Sequence, residues 1–142
     1  MATYLSEELR SRIKDADLDR CRYCLTCEAN SGTPLTCDHI MPRCKGGSTS
    51  FENVCRACRS CNEFKGDATH AVDPLTGEPV PLFNPRTQGW SDHFTWSADA
   101  TRVEGLTPVG RATVLGLRMN HPTIVAARDR WARTGWHPPP ER

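Results

Sequence analysis

The stretch CRACRSCNEFK, residues Cys55–Lys65, spaces three cysteines with two residues between each and the next, and then runs into a helix-like segment. We call such a set of three cysteines a ladder, and a second ladder with the same spacing lies upstream at Cys21, Cys24 and Cys27. Two CxxC pairs separated by a few dozen residues are typical of tetrahedral zinc, because each tight turn supplies two thiolates at ~2.3 Å from one ion. The sequence therefore predicts a small fold assembled around a structural zinc.

Each ladder contains two overlapping CxxC pairs, so the spacing alone leaves the choice of zinc ligands open. We predict that the ligands are the pairs that bracket the middle segment, namely Cys21, Cys24, Cys58 and Cys61. The alternatives are a disulfide or a second zinc on the four remaining cysteines, which are Cys27, Cys37, Cys44 and Cys55. The first residues lack the pattern of a secretory signal, so we expect a cytoplasmic protein whose thiols stay reduced.

The middle segment CDHIMPRCKGG, residues 37–47, sets an acid beside a histidine. Phosphodiester hydrolysis needs a base for the attacking water and a cation for the leaving oxygen. The imidazole of His39 suits the first role. The carboxylate of Asp38 and the amide of Asn62 are oxygen ligands that suit Mg²⁺ or Mn²⁺. Neighbouring residues of an ideal strand point to opposite faces, so the side chains of Asp38 and His39 would diverge. We therefore expect the turn at Pro42 and the following glycines to redirect these two side chains.

The segments DHI, KGG, ENV and CRSCNEFK resemble the HNH endonuclease motif of the ββα-metal, or His-Me finger, nucleases. The resemblance covers about residues 21–66, and a less specific likeness to the C-terminal extension of bacterial or phage stand-alone HNH proteins follows it. It implies that His39 is the general base, that Asn53 orients it, and that Asp38 and Asn62 bind the catalytic metal. Family members carry either His or Asn at the last of these positions.

Simpler roles compete with these assignments. Asn53 could only cap a turn, and Asn62 could be the N-cap of a helix that follows Cys61. Gly46 and Gly47 could bring the loop close to another backbone or only turn the chain.

The net charge of +1 hides a segregation of charge along the sequence. Residues 43–65 carry five basic side chains and two acidic ones, residues 67–99 are net acidic, and residues 102–142 are net basic again. Such blocks could form a basic surface for a phosphate backbone, although scattered solvated charges are an equal alternative. The candidate DNA contacts are Arg43, Lys45, Arg56, Arg59 and Lys65, and arginines of the C-terminal helices could extend this surface.

Length and turn signals predict one α+β domain over residues 1–136, with a motif core at about 21–66, an extension at about 67–136 and a disordered tail at 137–142. An N-terminal helix is indicated by Leu5, Leu9 and Ile13. The extension should contain a proline-rich extended connection, a hairpin and then two helices beginning near Thr107 and Pro122. The fold class is thus a zinc-stabilised ββα-metal core with an N-terminal helix and a C-terminal hairpin plus helices.

We therefore predict a metal-dependent endonuclease that hydrolyses DNA, most simply double-stranded, with structural Zn²⁺, catalytic Mg²⁺ or Mn²⁺ and no membrane partner. His39 would activate water, and a cation on Asp38 and Asn62 would stabilise the leaving 3′ oxygen. The alternative is a zinc-dependent nucleic-acid-binding module without catalysis, and a cysteine-based redox or metal sensor is a weaker one. Oligomeric state and sequence specificity stay open.

Overall fold

The structure, a computed structural model, describes residues 5–140. Two compact units are formed within this range: unit 1 from the chain up to Thr69 together with Asn84–Thr87, and unit 2 from His70–Phe83 together with the chain from Gln88. The single domain predicted over 1–136 stays a prediction. Residues 141 and 142 of the predicted tail lie outside the described residues. Among the helices of the described part, none has the length and apolar character that crossing a membrane requires.

Unit 1 contains a β-hairpin followed at once by a helix. Its elements are α1 (Glu7–Asp17), α2 (Glu28–Ser31), β1 (Thr36–His39), β2 (Val54–Ala57) and α3 (Arg59–Lys65), with short 3-10 turns at Arg43–Lys45 and Phe51–Asn53. Strands β1 and β2 pair antiparallel, with Thr36 opposite Ala57 and His39 opposite Val54. This arrangement confirms the predicted ββα core.

Helix α1 begins where its sequence predicts. The side chain of Ser6 accepts a hydrogen bond from the backbone N–H of Leu9, and two glutamates in the first turn suit the positive end of the helix dipole. Ile13 is buried and packs with Leu5 and Val54 in the hydrophobic core of unit 1. The N-terminal helix is therefore confirmed, and it covers the hairpin.

Helix α3 begins earlier than expected. Its N-cap is Cys58, whose sulfur accepts a hydrogen bond from the backbone N–H of Cys61, so Asn62 lies inside the helix. The interpretation of Asn62 as an N-cap is wrong for this reason. A position in the helix interior leaves its side chain free for contacts across to β1.

Up to residue 140, where the described part of the chain ends, unit 2 contains two hairpins and three helices. Its elements are β3 (His70–Val72), β4 (Pro79–Pro81), α4 (Trp90–His93), β5 (Phe94–Trp96), β6 (Val103–Gly105), α5 (Pro108–Gly116) and α6 (Pro122–Arg133). The predicted hairpin is the pair β5–β6, and both predicted C-terminal helices are present. The proline-rich connection, residues 73–85, is more ordered than predicted, because its interior forms β4, which pairs with the preceding strand β3 around a turn that Asp73 stabilises.

The core of unit 2 is aromatic. The rings of Phe83 and Phe94 meet edge-on with centroids 5.1 Å apart. His137, the first residue of the predicted tail, is buried: its ring packs edge-on against Trp96, and its Nε2 lies 2.9 Å from the backbone oxygen of Ala100. Order in this unit therefore extends at least to His137.

Candidate metal centre and nuclease site

The four predicted zinc ligands lie together in unit 1. The sulfur atoms of Cys21, Cys24, Cys58 and Cys61 are all within 4.8 Å of one another. The sulfurs of Cys24 and Cys58 are 3.7 Å apart. A tetrahedral zinc with bonds of ~2.3 Å separates its sulfurs by about 3.8 Å, so the cluster has the size that zinc requires.

Backbone N–H groups surround the sulfurs and orient them. Tyr23 and Cys24 direct their N–H groups at the sulfur of Cys21, and Cys61 directs its own at the sulfur of Cys58. Burial raises the pKa of the Cys21 thiol well above its usual value, whereas hydrogen bonds from the neighbouring thiols lower the pKa of Cys24. A zinc ion bound here would favour the thiolate form of all four side chains.

The remaining cysteines do not form a second centre. Cys27 donates to the carboxylate of Asp19, Cys44 is exposed, Cys37 is partly buried and Cys55 is fully buried in β2. Within residues 5–140, no other cluster of potential ligands reaches three members, and all eight cysteines are free thiols. The structure thus gives no support to a second zinc or to a disulfide.

Asp38 is buried on the face of β1 that α3 covers. Its Oδ2 accepts a hydrogen bond of 2.7 Å from the hydroxyl of Tyr23. The ammonium of Lys65 lies 3.3 Å from Oδ1 and 3.2 Å from Oδ2. Burial raises the pKa of the Asp38 carboxyl, while Lys65 and Tyr23 oppose that shift. The carboxylate is therefore held from two sides.

His39 is the last residue of β1, and its ring is only partly buried. Its Nε2 lies 2.9 Å from the hydroxyl of Thr49. Burial lowers the pKa of His39, and the positive charges of Arg43 and Lys65 lower it further against an opposing effect of Asp38. A lowered pKa favours the neutral imidazole, which is the form that can accept a proton.

Asn53 shapes the loop that follows His39. Its amide nitrogen donates to the carbonyls of Met41 and Ser48, and its Oδ1 accepts from the N–H of Met41. The structure thus places the Asn53 side chain on this loop rather than on the His39 ring. The loop needs Gly47, because a Cβ at that position would lie 1.8 Å from the carbonyl oxygen of Met41.

Asn62 reaches from α3 to β1. Its Nδ2 donates to the hydroxyl of Thr36 at 2.9 Å and to the carbonyl of Cys37 at 3.3 Å. Both bonds use the amide nitrogen, so Oδ1 is left without a hydrogen-bond partner within the described range. Together with Asp38 it offers one carboxylate and one amide oxygen, a hard donor set that fits Mg²⁺ or Mn²⁺.

The side chains of the site are not all on one face. Thr36 and Asp38, two residues apart in β1, contact α3, and His39 contacts the loop instead. The alternation along the strand therefore persists at this point, and the predicted re-aiming of the two side chains by the turn is not seen. The structure brings Asp38 and Asn62 to the α3 side, whereas His39, which follows Asp38 in the chain, faces the loop.

The predicted DNA contacts differ in their availability. Arg59 is largely exposed and pairs with Glu63, and Arg43 and Lys45 are exposed on the loop. Arg56 is engaged by the carboxylate of Glu28 and the carbonyl of Leu18. Lys65 is 1% exposed, so its ammonium lies too deep for a phosphate, and we correct that prediction.

The arginines of the C-terminal helices are also partly committed within unit 2. Arg111 pairs with the buried carboxylate of Asp73, and Arg133 pairs with Asp129 one turn away. Arg128 is buried and donates to the carbonyls of Thr101 and Met119. Arg128 is therefore a core residue and does not extend a binding surface.

Sequence reasoning missed the partners of the two central side chains. Tyr23 stands inside the first CxxC pair, and Lys65 stands one turn after Asn62 in α3, so a helical projection could have suggested that Lys65 approaches the strand. No feature of the sequence points to Thr49 as the partner of His39.

In the comparison with protein families, the family model described as HNH endonuclease matches residues 21–73. Comparison with curated proteins and with solved structures gives no match. The matched segment contains the four-cysteine cluster, the hairpin and α3. Residues 21–73 of this chain are therefore similar to the HNH endonuclease family.

Proposed function

We propose that this protein is a metal-dependent endonuclease that hydrolyses phosphodiester bonds of DNA. The similarity of residues 21–73 to the HNH endonuclease family supports nuclease activity in general. The observation that carries the finer proposal is the arrangement of His39 next to Asp38, with the unpartnered amide oxygen of Asn62 across from the same strand.

His39 acts as the general base in this proposal. Its lowered pKa keeps the ring neutral near pH 7, and the Thr49 hydroxyl holds Nε2 in one direction. The ring accepts the proton of a water as the water oxygen attacks phosphorus, and the P–O3′ bond breaks to leave a 5′ phosphate. The departing 3′ oxygen takes a proton from solvent and becomes a hydroxyl. A divalent cation held by Asp38 and Asn62 would stabilise the negative charge on the departing oxygen.

The scaffold around His39 limits the movement of the base. Asn53 fastens the loop from Met41 to Ser48, and that loop carries Thr49 to the imidazole. Asn53 would thus orient His39 indirectly, through the loop. Fixing the base in this way reduces the entropy that must be lost in the transition state.

The proposed substrate is duplex DNA, contacted through phosphates. Positive charge is supplied by exposed side chains of unit 1 on the loop after β1 and at the start of α3, namely Arg43, Lys45 and Arg59. Contacts of this type position the nucleic acid without reading its sequence.

The test is cleavage of supercoiled plasmid by zinc-loaded protein with and without added Mg²⁺. We expect cleavage that depends on Mg²⁺, and His39→Ala should reduce the rate about 10²–10⁴-fold because the general base is lost. His70→Ala, which removes an exposed histidine in unit 2, is the matched control and should cleave like the wild type. Equal rates for the wild type and His39→Ala would reject the base assignment.

The second candidate is a zinc-dependent nucleic-acid-binding module without catalysis. The observation in its favour is the ion pair of Asp38 with Lys65, which occupies the proposed metal ligand. The same plasmid experiment separates the two candidates, because a binding module would retard the plasmid in a gel and leave it uncut at every Mg²⁺ concentration.

A further inference from the structure

Lys65 is the most deeply buried charged partner of the proposed site. Its side chain is 1% exposed, and that of Asp38 is 4% exposed. A lysine is almost never buried to this degree unless its charge is compensated. Burial of this side chain therefore points to a role for its charge inside the protein.

The ammonium of Lys65 is surrounded by oxygen atoms. It lies 3.3 Å and 3.2 Å from the two carboxylate oxygens of Asp38 and 3.0 Å from the carbonyl oxygen of His39. A carboxylate together with a backbone carbonyl is also the type of oxygen set that hard divalent cations take. Lys65 thus provides a positive charge at the carboxylate that the proposed function assigns to the metal.

Two cations cannot share this carboxylate without cost. Besides Lys65, the carboxylate of Asp38 has Tyr23 as a partner, and the hydroxyl of Tyr23 donates to a lone pair of the carboxylate. A divalent cation that approached Asp38 would therefore meet a buried ammonium a few ångströms away, and like charges repel strongly where water is excluded.

We propose that Lys65 and the divalent cation compete for the Asp38 carboxylate, so that Lys65 holds this ligand in place without the metal and weakens binding of the metal. Lys65 is thus a positioning residue that acts through Asp38. This inference rests on the proposed function, because it takes Asp38 as a ligand of the catalytic cation.

The experiment measures the affinity of the zinc-loaded full chain for Mn²⁺, by electron paramagnetic resonance of free Mn²⁺ in the absence of DNA. Soft thiolates prefer zinc to Mn²⁺, so the four-cysteine cluster does not interfere. Lys65→Met should bind Mn²⁺ at least about tenfold more tightly than the wild type, because the competing charge is gone. Lys65→Gln retains hydrogen-bond donors but no charge and should behave in the same way.

Two control variants complete the design. Lys14→Met makes the same substitution at an exposed position of α1 and should leave the Mn²⁺ affinity unchanged. Asp38→Asn should abolish Mn²⁺ binding, which tests the metal assignment separately from the role of Lys65.

The outcomes separate the two ideas. If Lys65→Met and Lys65→Gln bind Mn²⁺ like the wild type while Asp38→Asn does not bind, the competition is refuted and the metal assignment of the proposed function stands. If neither the wild type nor the Lys65 variants bind Mn²⁺, the competition and the metal assignment are both refuted. The Lys65 variants could be unfolded in the absence of metal. In that case the competition predicts that added Mn²⁺ restores their folding, and a failure of Mn²⁺ to do so would refute the competition.

Discussion

Asp17 is buried at the end of α1, where three hydrogen bonds converge on its carboxylate. The guanidinium of Arg86 approaches it at 2.6 Å and 3.0 Å, and the backbone N–H of Arg56 donates at 2.9 Å. Arg86 also donates to the carbonyls of Phe51 and Val54. One buried carboxylate thus joins α1, the hairpin and the segment Asn84–Thr87 within unit 1.

We expect Asp17→Ala to lower the free energy of unfolding by about 3–5 kcal/mol, because the substitution leaves the largely buried guanidinium of Arg86 without its counter-charge. Denaturant unfolding of the zinc-loaded protein measures this loss. Asp15→Ala, at an exposed position of the same helix, should cost far less, and equal losses for the two variants would contradict this role of Asp17.

Asp73 has a comparable position in unit 2. Arg111 donates two hydrogen bonds to its carboxylate, at 2.9 Å and 2.8 Å, and Leu75 and Thr76 add one each. These bonds, of which those from Arg111 act most strongly, lower the pKa of Asp73 to about 2. The ionised form is therefore the one that stabilises the turn between β3 and β4.

The lowered pKa predicts how this stabilisation depends on pH. The unfolded chain has an Asp pKa of ~3.9, so the contribution of Asp73 is fully present above about pH 4 to 5 and is lost as the pH falls toward 2. The difference in unfolding free energy between the wild type and Asp73→Asn should shrink over that window. Glu78→Gln, in the same turn but exposed, should show no such change, and a difference that stays constant down to pH 2 would contradict the assignment.

At the scale of elements, α3 connects the four-cysteine cluster to the proposed nuclease site. It begins after its N-cap Cys58, carries Cys61 in its first turn, and places Asn62 and Lys65 against β1. Because the helix has only seven residues, it is too short to be stable by itself. We therefore expect its position to depend on a metal bound by the four cysteines at its first turn.

We expect removal of zinc to unfold the hairpin and α3, because binding of a structural zinc supplies roughly 10–16 kcal/mol in small domains of this kind. Cys61→Ser should lose bound zinc, as measured by elemental analysis, together with helical circular dichroism. Cys44→Ser, at an exposed thiol outside the cluster, should retain both. A folded and zinc-free Cys61→Ser protein would show that the metal is not required.

At the scale of the whole molecule, the net charge of +1 says little about nucleic-acid binding. The structure divides the basic residues into those paired with buried carboxylates, such as Arg86 and Arg111, and those whose side chains are largely exposed, such as Arg59. Only the exposed group can exchange counterions with a phosphate backbone.

The variant Arg43→Gln/Lys45→Gln/Arg59→Gln, made in the inactive His39→Ala protein, should bind duplex DNA more weakly. The slope of the logarithm of the association constant against the logarithm of the salt concentration should also become shallower by about 2–3. This change is expected for the loss of three phosphate contacts. Binding measured by fluorescence anisotropy at several salt concentrations tests this. Lys14→Gln is the control, and an unchanged slope in the triple variant would exclude these residues as phosphate contacts.

The sequence by itself determined the elements that depend on local spacing. The two CxxC ladders predicted the four-cysteine cluster, the apolar spacing of Leu5, Leu9 and Ile13 predicted α1, and the starts of both C-terminal helices were predicted near Thr107 and Pro122. These features are readable because a metal-binding turn, a helix cap and an apolar face each involve residues only a few positions apart.

Only the tertiary structure decided which charges are buried together. Lys65 reads as a surface lysine for DNA, yet it is the partner of Asp38, 27 residues away in the chain. Arg86 and Asp17 are 69 residues apart. Such pairs depend on how the folded backbone brings distant segments together, and no local pattern encodes that distance. The candidate site residues could therefore be proposed from the sequence, but their ion pairs became visible only in the fold.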